Sequence, residues 1–299
     1  MAEMAEGWRS ALRVGCAQID VVPFDILRNV ETHRELIAQA REQDVSVVVF
    51  PELSLTGYST GERGYELAMT RDDSLLRSLA EDAGDMAVIV GFIEEGYAAQ
   101  FFNSAAVLRD GQVVFVHRKL NLATYGNLEE GKYFAAGRYV EPVELGEPFT
   151  GSILICADMW NPALVHLAAL HGATILLSPT NSALDSVSGA FSNPRGWEVV
   201  VSFYAMIYGL PVVMANRVGR EEDLVFWGGS RILGPRGEVL ALASDDETTL
   251  LTADLSYELI KRARFELPTV RDSNLALVER EIGRLAAQIG VPEAYRHST

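Results

Sequence analysis

Three residues in this chain carry side chains that can combine in one reaction: Glu52 in FPEL, Lys119 in HRKLNL and Cys156 in ILICADMW. Each stands where an apolar, strand-like run gives out. In α/β proteins ligands bind beyond the carboxyl ends of the strands, so those positions are where such a chain presents its chemistry. A thiol, a base and a fixed cation in one pocket are the equipment for acyl transfer through a thioester.

Taken singly, each residue has an ordinary explanation. Most free cysteines are small buried hydrophobes. Cys156, however, lies where the strand GSILI turns at ADMWNP toward a helix, and backbone N–H groups at such a junction can lower a thiol's pKa. Cys16 has a similar apolar setting with no turn after it and is assigned to the core. A strand-end glutamate is either a solvated charge or the acid that starts a helix. Directly after the wholly apolar VVVFP, Glu52 is also placed for a raised pKa and general acid–base work. A lysine at a strand end is usually solvated, whereas one pinned beside a thiolate stabilises a tetrahedral oxyanion. Glu129 and Glu130 follow Lys119 by ten and eleven residues, and one of them could orient the lysine or a substrate amino group. The weight lies in the joint pattern.

The elements that must position these groups are legible as apolar runs at 11–19, 45–51, 86–93, 151–156, 173–178 and 211–215. Several are apolar throughout, as strands covered on both faces are. Helical patterns fall between them at 27–42, 72–83, from Asn161-Pro162 to Gly172, and at about 195–209. Hairpins turn at Asp110-Gly111 and around Pro235-Arg236-Gly237. No linker or repeat divides the chain, so residues 1–299 read as one domain. A helical extension over about 256–299 (Leu275, Val278, Ile282, Leu285, Ile289) is available to pack on a partner subunit.

Composition narrows the function classes. A net charge of −16 argues against nucleic acid or an anionic membrane as partner. No apolar run approaches the roughly 20 residues of a membrane span, and the acidic start MAEMAEGWRS lacks a secretory layout. Two cysteines give no disulfide framework, so a reducing cytoplasm is expected. The five histidines form no zinc-spaced set, and neither GxGxxG nor a Walker loop occurs, so neither metal nor cofactor is expected.

Together the motifs resemble those of the nitrilase superfamily, the carbon–nitrogen hydrolases, from VGCAQID to LTADLS. FPEL matches the family's glutamate motif, HRKLNL its lysine motif and ICADMW its cysteine motif. Glu130, just before the YFAAG stretch, fits the second active-site glutamate better than Glu129 does. FNSAAVL near Asn103, SPTNSA near Asn181 and MANRVG near Asn216 add to the likeness. The resemblance implies a four-layer αββα sandwich of two mixed sheets, a homodimer or higher homo-oligomer, and a cofactor-free reaction. In that reaction Glu52 is the base, Cys156 the nucleophile, and Lys119 with the Ala157 N–H the oxyanion partners. Cys156-Ala157-Asp158, where nitrilases have Cys-Trp-Glu, favours an amide substrate. ATYGNLEEGKYF and ICADMWNP look like the glutaminase domains of NAD synthetases. The reading is a cysteine-dependent amidase acting on a small linear amide. The alternatives are a nitrilase, an N-carbamoyl-amine amidohydrolase, and a non-catalytic binding module of the same fold, against which the intact Glu52, Lys119 and Cys156 speak. Tyr58, Tyr125, Trp160, Asn181 and Phe191 are expected to line the pocket. Asn121-Leu122-Ala123 after the lysine, and Trp160 where many members have Arg, depart from the common pattern.

Overall fold

The apolar runs become the central strands of two six-stranded mixed sheets. The computed structural model describes residues 10–126, 128–184, 186–187, 191–244 and 246–289. In chain order the strands of the first sheet are β1 (Ala11–Gln18), β2 (Val47–Val49), β3 (Ala87–Glu95), β4 (Phe101–Arg109) and β5 (Gln112–Arg118), with β14 (Thr249–Ser256) added at the edge beside β1. The second sheet comprises β6 (Pro142–Glu144), β7 (Thr150–Ile153), β8 (Ile175–Thr180), β9 (Val212–Asn216), β12 (Arg231–Leu233) and β13 (Val239–Leu242). Between β9 and β12 a small hairpin pairs β10 (Val218–Glu221) with β11 (Leu224–Trp227).

β1, β2 and β3 run parallel, as do β7, β8 and β9, while the flanking strands are antiparallel. The inward faces of both sheets form one apolar layer, in which Val14, Val47, Ile89 and Val107 meet Ile153, Ile175, Leu177 and Val213. Each side chain of this kind, fully removed from water, contributes about 1.5–3 kcal/mol. α1 (Ile26–Glu42) and α2 (Ser74–Ala83) cover the outer face of the first sheet, capped by the carboxylates of Asp25 and Asp73. α4 (Pro162–Leu170) and α5 (Asn193–Tyr208) cover the second. Asn161 and Ser192 cap them, and Gly209 ends α5 in the left-handed region. The result is the expected αββα sandwich. A single helical turn, α3 (Glu130–Tyr133), sits in the loop after β5.

Several boundaries differ from the sequence reading for physical reasons. β2 has three residues because Pro51, which lacks an N–H, ends the ladder after Phe50 N has donated to Ile89 O. β7 stops at Ile153, so Cys156 opens a separate 3-10 turn and does not cap the strand. The β10–β11 hairpin escaped the sequence reading because its four-residue strands are too short for alternation to register. The stretch after 256 forms α6 (Tyr257–Glu266), which buries Ile260 and Ala263, and α7 (Leu275–Gln288), which buries nothing within this chain. Among the described residues no helix is long and apolar enough to cross a membrane.

Candidate active site

The turn after β2 carries Glu52 inward. Leu53 takes a left-handed φ of +47°, and Gly91 on β3 makes the space for this turn. A Cβ at Gly91 would lie 2.2 Å from Leu53 N and 2.5 Å from Pro51 O, so no other residue fits without moving backbone. The Glu52 side chain is fully buried, and its backbone carbonyl accepts from Asn181 Nδ2 at 2.9 Å. On its carboxylate, Oε1 accepts from Lys119 Nζ (2.5 Å) and Asn103 Nδ2 (2.7 Å), while Oε2 is buried with no partner.

Lys119 follows β5 and is equally buried. Its backbone is pinned on both sides, its N–H donating to Asn103 O at 2.8 Å and its carbonyl accepting from Gly137 N at 2.7 Å. Its ammonium bridges Glu52 Oε1 and Glu130 Oε1, the latter at 2.7 Å. Glu130 Oε1 also accepts from Tyr58 Oη at 2.6 Å, and Oε2 from Ala123 N at 3.1 Å. Tyr58 is held in turn by Glu221, whose carboxylate accepts from the N–H groups of Tyr58 and Ser59 and pairs with the fully buried Arg217.

Cys156 opens the turn Cys156–Trp160 with φ +42°, a left-handed conformation that costs an L-residue energy and holds only where neighbours enforce it. Asp158 is the enforcing group. Its Oδ1 accepts from Leu120 N (3.0 Å) and Asn121 N (2.6 Å), and its Oδ2 accepts from Ile155 N (3.0 Å), with His117 Nε2 at 3.4 Å. One buried carboxylate thus ties the residues just after Lys119, from the first sheet, to the residue just before Cys156, from the second.

The electrostatics follow from two carboxylates sharing one ammonium. Burial disfavours the charged lysine, but the charges of Glu130 and Glu52 outweigh it and hold Lys119 well above its ordinary range. Burial pushes Glu52 up; Lys119 opposes this and the Glu130 charge adds to it, leaving the carboxyl above its usual range. Burial and the Glu52 charge push the Cys156 thiol well up, opposed by Lys119 and the Asn181 backbone N–H. The resting arrangement is therefore a neutral thiol near a carboxylate with one free, proton-hungry oxygen.

Cys156 opens onto a cavity of about 20 Å³, enough for one water molecule. Among its lining residues are Tyr58, Tyr125, Glu130, Trp160, Asn181 and Ser182. Of the sequence-predicted residues, Tyr58, Tyr125, Trp160, Asn181 and Glu130 are brought to the cavity, whereas Glu52 and Lys119 are not among its lining residues, Lys119 being bonded to Glu130 and Glu52 to Lys119. Ala157 is buried in the turn behind the thiol, and Phe191 lies edge-on to Trp160 at 5.7 Å. Sequence reasoning left out the supporting parts Asn103, Asp158, Ser182 and the Arg217–Glu221 pair. Asp158 had a readable signal in the C-x-D spacing, and Asn103, Ser182 and Arg217 lie within FNSAAVL, SPTNSA and MANRVG, to which the sequence reading gave no role.

Two mixed sheets face to face between helices, with a thiol, carboxylates and an ammonium gathered at their strand ends, define a nitrilase-like sandwich. The chain belongs to the carbon-nitrogen hydrolase family, whose model matches residues 13–265. It is 31% identical over 250 residues to a glutamine-dependent NAD(+) synthetase of Thermotoga maritima, covering 83% of this chain but only 42% of that protein. To the N-carbamoylputrescine amidase of Solanum tuberosum it is 26% identical over 279 residues, covering 88% and 90% of the two chains. The crystal structure of a carbon-nitrogen hydrolase from Helicobacter pylori superimposes with a TM-score of 0.79 at 26% identity, covering 89% of this chain and 96% of that one.

Proposed function

We propose that this protein is a cysteine-dependent amidase that hydrolyses a small linear amide through a thioester and releases ammonia. The observation that carries the reading is the unpartnered Glu52 Oε2 with an ammonium locked between two carboxylates, a cluster whose charges act on the Cys156 thiol. Glu52 Oε2 takes the Cys156 proton as Sγ attacks the carbonyl carbon. Lys119 Nζ and the Ala157 N–H stabilise the oxyanion. Glu52 then passes its proton to the leaving nitrogen, ammonia departs, and a water activated by the same carboxylate cleaves the thioester. Glu130 positions the ammonium.

A second reading, an N-carbamoyl-amine hydrolase, draws on one observation. The cleft adjoining the cavity shares Tyr58, Leu128 and Glu130 with it and is rimmed by Glu129, Glu222 and Asp223, a setting that attracts a protonated amine.

A panel of small amides, carbamoyl amines and nitriles assayed for ammonia tests both. Amides should turn over fastest, an acyl adduct should appear on the intact mass of the wild type, and Cys156→Ala should lose at least about 10³-fold while remaining folded. Undiminished ammonia release by that variant would remove Cys156 from the mechanism. Faster turnover of nitriles or carbamoyl amines would move the substrate class.

We also propose a homodimer. α5 exposes Val199, Phe203 and Met206, and α7, beyond the family match, exposes Leu275, Ile282 and Leu285. Such stripes are covered by a second copy in the arrangement the family resemblance implies. Light scattering on the purified chain checks the mass.

A further inference from the structure

The cavity wall also holds a serine whose hydrogen-bonding capacity is almost used up. Ser182 Oγ accepts from Trp197 Nε1 at 3.0 Å and from Trp227 Nε1 at 3.1 Å. An indole N–H can only donate, and a hydroxyl has two lone pairs and one proton. Both lone pairs are therefore occupied, and the remaining capacity of Ser182 is its O–H as donor. Among the described residues nothing accepts that proton. The residue is 6% exposed and cannot turn away, because Asn216 clamps its backbone through Ser182 N→Oδ1 (2.8 Å) and Nδ2→Ser182 O (3.3 Å). Two donors feeding one oxygen also polarise its O–H and make it a stronger donor.

The adjacent residue supplies an independent observation. Asn181, 5% exposed, spends its Nδ2 on the Glu52 carbonyl, while its Oδ1 is buried without a partner. Both residues line the same cavity as Cys156. The wall thus offers one donor and one acceptor that the protein leaves unused, and unused buried polar capacity is what a bound polar ligand repays.

The charge around them selects the ligand. Among the described residues, those lining the cavity include no arginine, lysine or histidine, and Glu130 is the charged group there. Lys119 is already shared by two carboxylates. An acyl chain carrying its own carboxylate would be buried near Glu130 with no cation to pair it.

We infer that Ser182 and Asn181 form an acyl-chain subsite that selects amides bearing a neutral oxygen acceptor, a hydroxyl, ether or second carbonyl, along the chain. This rests on the amidase reading and specifies its substrate class. Ser182 Oγ–H donates to the acyl-chain oxygen, and Asn181 Oδ1 accepts an N–H or O–H of the bound amide.

The test compares kcat/KM for pentanamide, its isostere γ-hydroxybutyramide, and succinamate, using the full-length wild type, Ser182→Ala and Trp227→Phe. The wild type should prefer γ-hydroxybutyramide to pentanamide by at least about tenfold and should also prefer it to succinamate. Ser182→Ala should bring the first ratio close to one. Trp227→Phe frees one lone pair, lets the hydroxyl turn without deleting it, and should lower the ratio several-fold; it carries the test alone if Ser182→Ala does not fold. A purely structural serine would lower both rates and leave the ratio unmoved, which would overturn the inference while leaving the amidase reading standing. Succinamate as the best of the three would overturn the neutral-acceptor assignment. No turnover of any amide would defeat the amidase reading, and this inference with it.

Discussion

The two sides of the cavity are built on opposite principles. On the first sheet's side, Glu52, Lys119, Glu130, Tyr58 and Asn103 are joined by hydrogen bonds of 2.5–2.7 Å, leaving two buried oxygens, Glu52 Oε2 and Asn103 Oδ1, without a partner. On the second sheet's side, Cys156 sits in a left-handed turn, Asn181 keeps an idle acceptor and Ser182 an idle donor. The first side is preorganised charge, which needs no reorganisation when an oxyanion forms. The unsaturated side is binding capacity awaiting a ligand. Asp158 is the joint between them. Fixed charge and open recognition are thus assigned to different sheets, with the nucleophile on the second.

Substitutions that attack the charged side should be the most damaging. Lys119→Met leaves two neighbouring carboxylates buried without a cation, and urea unfolding should show a loss of about 3–5 kcal/mol together with at least about 10²-fold slower ammonia release. A stability change under about 1 kcal/mol would mean that the shared ammonium does not hold the two carboxylates in place. Glu130→Gln removes the charge that helps raise Glu52. The acidic limb of the kcat/KM profile, which falls away as Glu52 takes up its proton, should move to lower pH, with activity reduced about 10- to 100-fold. A limb that stayed put or moved upward would assign it to another group. At the joint, Asp158→Asn turns an N–H toward backbone N–H donors, costing about 1–3 kcal/mol and lowering kcat more than it alters KM, because the thiol and the ammonium lose their common anchor. Equal losses in every parameter would make Asp158 a packing residue only.

The smallest effect lies behind the glutamate turn. His33 is buried between Asn29 O (2.7 Å) and Ser54 Oγ (2.9 Å) and stacks on Phe50 at 4.1 Å. Burial lowers its pKa to about 4 from 6.5. Between those values the unfolded chain binds the proton and the folded one does not, so stability falls as pH drops through that window. One pH unit below 6.5 the loss is about 1 kcal/mol, and His33→Gln should abolish that share of the slope in unfolding curves taken at several pH values. An unchanged slope would show that other groups set the acid sensitivity of this region.

Much of the molecule was legible in one dimension. Runs such as VSVVVFP and GSILIC state that a strand is covered on both faces, and a lone Glu or Cys at their ends is conspicuous because burying it demands a reason. The helices announced themselves through Asp73, Asn161-Pro162 and Gly209. Those signals are local, carried by neighbours a few positions away. Partnerships at a distance were not legible. The donor status of Ser182 exists only because indoles 15 and 45 residues away converge on its oxygen. Asp158 became a joint by capturing N–H groups 37 and 38 residues earlier in the chain. Amino-acid order alone therefore determined which groups are present and which element ends present them, since backbone propensity and hydrophobic period are short-range. Which hydrogen bonds each group has left to give was decided only when the two sheets closed on each other, because a lone pair is spent by whatever packing brings within about 3 Å, regardless of sequence distance.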